Sequence, residues 1–299
     1  MYFWKRFFVV FISITLCFSV VFTEAGVVFA EGETTYDPQS YWEYEHADAI
    51  GNKGRDQNND IVALPDGGYI TIGDFAQTVS IGGSSFTSKG STDVYVVRYN
   101  ANNEVVFATS LGSGALDAGR SVALTSDGGY VISGQFAGEM TVGDKTLTPK
   151  GSNDAFVVRF NAENNIVFAD SFGSDGSDGA TSIAATDDGG FIVAGNYTNE
   201  MEVGGTSLAP KGSASNFIVR YDADNEIVSA IGYGRASSYT DIVATPSGEA
   251  IVTGGFFGTM EIGDYTLESK GSSDIYIIKI DSDNQVVHAE SFGAAGADM

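Results

Sequence analysis

Four aspartates recur at one position of a repeating pattern and are the first candidates for chemistry. Asp56, Asp117 and Asp178 are spaced by 61 residues, and Asp298 occupies the same register, although Ser237 interrupts the series. A ring of carboxylates at strand ends can bind a cation such as calcium, or a glycan. An Asp that accepts backbone N–H groups at a copied turn produces the same periodicity. We favour the turn, and keep Asp56, Asp117 and Asp178 as candidate metal ligands.

A second acidic column contains Asp93, Asp154 and Asp274 and is interrupted by Ser215. Acid–base hydrolysis of a glycosidic bond requires two carboxyl groups in different environments, so that one is protonated and the other ionised. Copies of a single local environment provide the opposite arrangement. Neither column therefore predicts an enzyme, and we expect no catalytic residue.

Other residues capable of chemistry have simpler interpretations. The acidic segments 222–226 and 281–285 lack the sixth-position glycine and the twelfth-position glutamate of an EF-hand loop, so we predict β-turns. His46 and His288 share one column, without a second His or a Cys nearby, and are expected at the surface. The sequence has no G-x-S-x-G, H-E-x-x-H or P-loop motif. It therefore predicts no cofactor.

The acidic columns belong to a unit that is copied four times. Successive copies are offset by 61, 61 and 59 residues in every column, which identifies a tandem structural repeat. The copied features are an Asp-Gly-Gly-aromatic turn that decays in the last unit, a Lys-Gly pair, a glycine within the second strand and a basic residue. The last two columns are Gly73, Gly134, Gly195 and Gly254, and Arg98, Arg159, Arg220 and Lys279.

Each unit reads as four β-strands. In the second unit the predicted strands are 120–125, 130–136, 155–160 and 166–172, separated by turn-forming residues. Four antiparallel strands per repeat predict an all-β fold, a β-propeller with four-stranded blades of about 61 residues. An insert between the second and third strands, 140–147 in this unit, carries a two-residue turn signal. We expect a small hairpin there, projecting from each blade.

The propeller domain is predicted over residues 42–299. Its units are 52–112, 113–173, 174–234 and 235–293, and residues 294–299 begin a further one. All four blades are complete, yet residues 42–51 also match the fourth-strand column. Because this strand is surplus to a closed four-blade ring, we expect an open arc or an assembly of five to eight blades.

Two copied columns carry structural predictions. Glycine normally weakens a strand interior, so we interpret Gly73, Gly134, Gly195 and Gly254 as positions of close packing between neighbouring blades. The basic column is expected to extend over apolar surface or to pair with nearby acids.

The repeat resembles a known group. Residues 138–160 read G-x-x-x-V-G-D-x-x-L-x-x-K-G-x-x-D-x-F-V-V-R-F, and residues 169–173 read A-x-S-F-G. This pattern is similar to the bacterial β-propeller repeats of secreted and cell-surface proteins, the SBBP type, over residues 42–299. The resemblance implies a propeller at the cell surface and names no ligand. The chain departs from that family where a fourth-strand tryptophan is common, because it carries Phe107, Phe168, Ser229 and His288.

The first 30 residues have the features of a secretory signal peptide. Lys5 and Arg6 precede an apolar run over 7–22, and Val28-Phe29-Ala30 ends the segment with a small residue. The alternative is an uncleaved anchor, but a spanning helix needs about 20 apolar residues. We predict cleavage between Ala30 and Glu31, followed by a linker over 31–41. The only cysteine, Cys17, leaves with the signal, so the mature chain has no disulfide.

The strongly negative net charge of the chain disfavours negatively charged partners. The chain carries 15 Lys and Arg against 39 Asp and Glu, a net charge of −24, which disfavours nucleic acid and anionic membranes. Two function classes remain: a secreted or cell-surface scaffold that binds proteins or glycans, and a propeller-type polysaccharide hydrolase or lyase. An enzyme is expected to interrupt the repeat with a long loop. The units differ in length by only two residues, which favours the scaffold.

The export prediction is tested by N-terminal sequencing of the secreted protein. We expect the mature chain to begin at Glu31. A membrane-bound product that retains Met1 contradicts it.

Overall fold

A computed structural model describes residues 49–298, except 235 and 246, together with the segments 21–23 and 26–28. The two N-terminal segments form a pair of antiparallel strands, β1 (Val21–Thr23) and β2 (Gly26–Val28). The remainder of the predicted signal and linker, with His46, lies outside the described residues. A separate compact unit begins at Ala49. No helix occurs among the described residues, so none there is long and apolar enough to cross a membrane.

Four antiparallel four-stranded sheets make up the second unit, in the strand order of the chain, which confirms the β-propeller class. Their strands are as follows: blade 1, β3 (Asp56–Ala63), β4 (Tyr69–Phe75), β7 (Asp93–Tyr99) and β8 (Val105–Leu111); blade 2, β9 (Asp117–Leu124), β10 (Tyr130–Phe136), β13 (Asp154–Phe160) and β14 (Ile166–Phe172); blade 3, β15 (Gly179–Ala185), β16 (Phe191–Tyr197), β19 (Ser215–Tyr221) and β20 (Ile227–Tyr233); blade 4, β21 (Ala236–Ala244), β22 (Ala250–Phe256), β25 (Asp274–Ile280) and β26 (Val286–Phe292).

The insert of every blade forms the predicted two-stranded hairpin. The strands are β5 (Thr78–Ile81) with β6 (Ser84–Thr87), β11 (Met140–Val142) with β12 (Lys145–Leu147), β17 (Met201–Val203) with β18 (Thr206–Leu208), and β23 (Thr259–Ile262) with β24 (Tyr265–Glu268). The expectation that the hairpins project is wrong. Met140 and Val142 are buried in one core cluster with residues of blades 1 and 2, because β11 contacts β8 of the preceding blade and β12 contacts β14 of its own.

The copied turns follow from their residue types. Gly128 has a φ of 82°, a left-handed conformation that glycine adopts without a steric penalty, and Asp127 accepts the N–H of Gly129 at 3.1 Å. In the third-to-fourth-strand turn of blade 3, Asp222 accepts the N–H groups of Asp224 and Glu226. Asp281 accepts the N–H groups of Asp283 and Gln285 in the same way, so both acidic segments are β-turns, as predicted.

Adjacent blades pack face to face. Side chains alternate between the two faces of each strand, so every blade has one apolar face toward the preceding blade and one toward the following blade. Between blades 1 and 2, for example, Ile70, Val94 and Leu111 share a core with Phe156 and Phe160. Equivalent cores join blade 2 to blade 3 and blade 3 to blade 4.

The described blades form an open series. Inner strands β3, β9, β15 and β21 contact one another in sequence, and hydrogen bonds join consecutive blades. Among the described residues, no hydrogen bond or shared core joins blade 4 to blade 1. Ile61 is 58% exposed, whereas its equivalents Val122, Ile183 and Ile242 are buried. Among the described residues, this inner position of blade 1 is therefore not covered by blade 4.

The basic column pairs with acids in blades 1, 2 and 4, as predicted, and its arginines also join blades, which the sequence did not predict. Arg159 bonds to Asp127 of its own blade at 3.1 Å and donates to the carbonyl of Gly189 in the next blade at 3.2 Å. Arg98 and Arg220 likewise donate to carbonyls of the following blade. Lys279 bonds to Glu249 of its own blade at 2.7 Å.

The interpretation of the copied glycines as inter-blade contacts is wrong. A Cβ on Gly134 would overlap the carbonyl oxygen of Ala118 and approach the ring of Phe156 to 2.7 Å, and both residues belong to the same blade. The cause is a β-bulge in the inner strand: Ser133 pairs with Ser121 and Gly134 with Gly119, which leaves Arg120 as the extra residue. Equivalent bulges face Gly73 and Gly195.

Gly134→Ala should lower the free energy of unfolding by about 1–3 kcal/mol, because the methyl group meets a backbone oxygen that cannot move aside. Gly114→Ala is the matched control, since a Cβ there has open space around it. Urea denaturation of both variants measures the difference. Equal midpoints for the two variants contradict the prediction.

Candidate binding cleft

Residues of the inner and second strands, with Ile275, line an open cleft of about 880 Å³. All four blades contribute to its lining, which consists mainly of amide, hydroxyl and charged side chains. The lining residues are Asn59, Asp60, Arg120, Ser121, Gln135, Thr181, Ser182, Asn196, Thr240, Asp241, Thr253, Gly254, Gly255 and Ile275.

The cleft is the place where the repeat loses its symmetry. Asn59, Arg120 and Thr181 are the extra residues of the three inner-strand bulges, at one equivalent position, and have three different chemistries. A bulge redirects a side chain out of the regular alternation of the strand. The same β-bulge thus presents a different side chain to the cleft in each of blades 1, 2 and 3.

The next residue of each inner strand holds the blades in register. Asp60 accepts the hydroxyl of Ser121 at 2.8 Å and the N–H of Val122 at 2.9 Å. At the following junction the Ser121 hydroxyl oxygen accepts the N–H of Ile183 at 3.3 Å. A third bond of the same kind joins blade 3 to blade 4 through Ser182. These side chains are occupied by structural bonds, so they position the cleft wall.

The bulge residues differ in how fully they are bonded. Asn59 donates to the carboxylate of Asp74 at 3.0 Å and to the carbonyl of Gly119 at 2.7 Å. Thr181 donates to the carbonyl of Thr240 at 3.0 Å. Arg120 is half-buried and forms no hydrogen bond or ion pair with any described residue. Its guanidinium group is therefore available to a ligand.

The candidate metal ligands are turn-stabilising residues. Asp117 accepts the N–H and hydroxyl of Ser113 at 2.5 and 2.9 Å, and Asp178 does the same for Ser174. Asp56 accepts the N–H of Asn52 at 2.6 Å. Each lies at a different blade, and no group of three or more His, Cys, Asp or Glu suited to a metal occurs in the described part of the chain. The structure brings no two of these three candidates together.

The second acidic column lies beside the first at the blade junctions. Asp93 accepts the N–H of Lys89 at 3.1 Å, and its neighbour across the junction is Asp117. Burial raises the pKa of Asp93, of Asp117 and of Asp154 above the usual value of 3.8. The negative charge of Asp117 adds to the shift in the pKa of Asp93, and Asp178 acts in the same way on Asp154.

His288 is exposed at the surface, as predicted, with its Nε2 3.6 Å from a carboxylate oxygen of Glu290. The cleft itself was missed by the sequence reasoning. Two signals point to it: glycine within a strand is typical of a bulge, and the residue types at 59, 120 and 181 vary while their surroundings are copied.

The raised pKa values predict that mild acid stabilises the fold. A group with a raised folded-state pKa contributes stability that is fully present below its unfolded value of 3.8 and is lost as pH rises through the folded value. These buried carboxyl groups should therefore raise the melting temperature as pH falls from 7 toward 4, while the lowered pKa values of Asp127 and Asp188, caused mainly by the hydroxyls of Thr125 and Thr186, act in the opposite direction. The variant with both Asp93→Asn and Asp154→Asn should show a smaller increase. An equal increase in the variant and the wild type contradicts the prediction.

Comparison with known proteins gives no family assignment. No protein-family model and no curated protein matches the chain. Among solved structures, the WD40 domain of Pan2 from Neurospora crassa aligns at 12% identity with a TM-score of 0.28, covering 79% of this chain and 86% of that domain. A eukaryotic initiation factor aligns at 10% identity and 0.19, covering 81% and 89%. These scores are too low to bear on function, and the resemblance to SBBP-type repeats stays a prediction.

Proposed function

We propose that the chain is a secreted or cell-surface scaffold without catalytic activity, which binds a protein segment or a glycan in the central cleft. The observation that carries the proposal is the bulge column of Asn59, Arg120 and Thr181. The same backbone geometry is copied, while the side chain presented to the cleft changes from blade to blade. Variation confined to a rigid framework is typical of a recognition surface.

The chemistry of the lining favours a ligand with many hydrogen-bonding groups. Amides such as Gln135 and Asn196 both donate and accept, and serine and threonine hydroxyls do the same. Arg120 adds a planar cation that pairs well with a carboxylate. None of the described cleft-lining residues is aromatic, so no ring there is available to stack on a sugar. Of the two ligand classes, this favours a protein segment with an acidic side chain.

The carboxylates of the cleft support binding over hydrolysis. Asp60 and Asp241 occupy equivalent positions, and each accepts a serine hydroxyl of the adjacent blade, at 2.8 and 2.6 Å respectively. Acid–base catalysis by two carboxyl groups depends on environments that separate their pKa values. Asp60 and Asp241 instead share a structural role at the blade junctions, which favours binding over hydrolysis. A polysaccharide hydrolase or lyase is the alternative that turnover assays on purified protein address.

Arg120→Gln should weaken ligand binding about 10- to 100-fold, because it removes one charge-assisted bond of about 1.5–3 kcal/mol. The ligand is first identified by an unbiased screen of peptides and glycans against the full chain. Lys53→Gln is the control, since it removes the same charge from an exposed position outside the cleft. The melting temperature of Arg120→Gln should equal that of the wild type.

Equal affinities of Arg120→Gln and wild type contradict the cleft as the binding site. Reproducible cleavage of a defined polysaccharide, abolished by Asp60→Asn or Asp241→Asn in a folded variant, overturns the scaffold in favour of the enzyme.

A further inference from the structure

Blade 4 has an exposed apolar face, and the equivalent faces of blades 1, 2 and 3 are buried. We call the side of each blade that points to the following blade its forward face. On blade 4 this face carries Ile251, Ile275, Ile277 and Phe292. Phe292 is 46% exposed and Ile251 is 36% exposed.

The equivalent side chains of blades 1 to 3 are covered by the next blade. Phe292 corresponds to Leu111, Phe172 and Tyr233, which are at most 5% exposed. Ile251 corresponds to residues at most 1% exposed, namely Ile70, Val131 and Ile192. The forward face of blade 4 thus has the same apolar character as three surfaces that each seat a blade.

The hydrogen bonds that join each of the first three blades to the next are also missing on the forward face of blade 4 among the described residues. Asp60, Ser121 and Ser182 each accept an N–H from the inner strand of the following blade. Asp241 holds the same position in blade 4, but among the described residues its carboxylate bonds only to the hydroxyl of Ser182 in blade 3 and to the N–H of Ile242, its own neighbour. Lys279 likewise pairs only within its blade among the described residues, whereas the three arginines of its column donate to the next one.

Residues 294–298 adopt the geometry that introduces a following blade. Between blades 1 and 2, Asp117 donates its N–H to the carbonyl of Thr92 at 3.0 Å, and its carboxylate accepts the N–H of Ser113. Asp298 donates to the carbonyl of Ser273 at 2.9 Å, and its carboxylate accepts the N–H of Ala294 at 2.8 Å. The backbone is therefore directed onto the inner edge of the forward face.

We propose that the forward face of blade 4 is a docking surface for one further blade of this same repeat. The docked blade sits on blade 4 as blades 2, 3 and 4 sit on the blades before them. Its aromatic backward face covers Ile251, Ile277 and Phe292, and its turns supply the carbonyl acceptors that Lys279 lacks.

The test measures access to the buried position. A second copy of residues 117–173 is joined directly after Ala297 of the full chain, so that the copied Asp117 takes the place of Asp298. Phe292→Cys is introduced in a Cys17→Ser background, and the reaction of the thiol with an aromatic disulfide reagent is timed with and without the added unit. We expect the reaction to slow at least about tenfold on fusion, because the thiol then reacts only after local opening.

Phe172→Cys is the matched control, because its site is 4% exposed and already covered by blade 3. It should react slowly with or without fusion. A second fusion, with a copy of residues 178–234, guards against failure of one particular unit, and far-UV circular dichroism reports whether the added unit is β-structured. An unchanged rate for Phe292→Cys beside a folded unit overturns the proposal.

Two other outcomes also count against it. If neither added unit folds, the face does not seat a blade as its three counterparts do. If the unfused chain forms a concentration-dependent dimer that protects Phe292→Cys, a second copy of the chain is the occupant.

Discussion

The structure depends on one constraint: neighbouring blades meet through apolar faces, and each of the three junctions buries one face of either blade. A four-stranded sheet alone leaves both faces in water. Burying a Phe or Leu contributes about 1.5–3 kcal/mol, and residues such as Phe156 and Leu111 realise that gain only where two blades meet. The fold is therefore held by its junctions, as expected for a repeat protein whose units are stabilised by their neighbours. The arginine column and the paired aspartates are both located at these junctions.

That constraint leaves the bulge positions of the inner strands free to vary. The inner strands contribute residues such as Val122 and Ile183 to the cores between blades, whereas their bulge residues line the cleft. Arg120 can be replaced by Asn or Thr in other blades because no core contact depends on it. The glycine opposite, Gly134, cannot be replaced in the same way, because it accommodates the displaced carbonyl of Ala118. The fixed glycine of the second strand thus makes room for the bulge, and the bulge residue of the inner strand can vary.

Sequence reasoning predicted the features that are encoded locally. Alternating apolar residues, Asp-Gly turns and equal spacing fix the strands and their order, and the hairpins follow from two-residue turn signals. The incorrect predictions concern features that depend on which strands lie next to each other. Gly134 within a strand was interpreted as a contact between blades, because a sequence does not show that Arg120 is left unpaired in the neighbouring strand. The hairpins were expected to project, because the burial of Met140 depends on β8 of the preceding blade.

The difference between copied and variable positions also explains why the acidic columns are structural and the cleft residues are candidates for recognition. Asp117 and Asp178 recur because the turn they stabilise recurs. A carboxylate that already accepts two bonds from its own turn and one from the residue after the second strand has few lone pairs left for a ligand. Periodicity in this chain indicates structure. Recognition is expected where periodicity fails at an accessible and rigidly held position, and residues 59, 120 and 181 meet that condition in the cleft. A repeat protein can therefore alter its ligand by exchanging bulge residues, without disturbing the junctions that keep it folded.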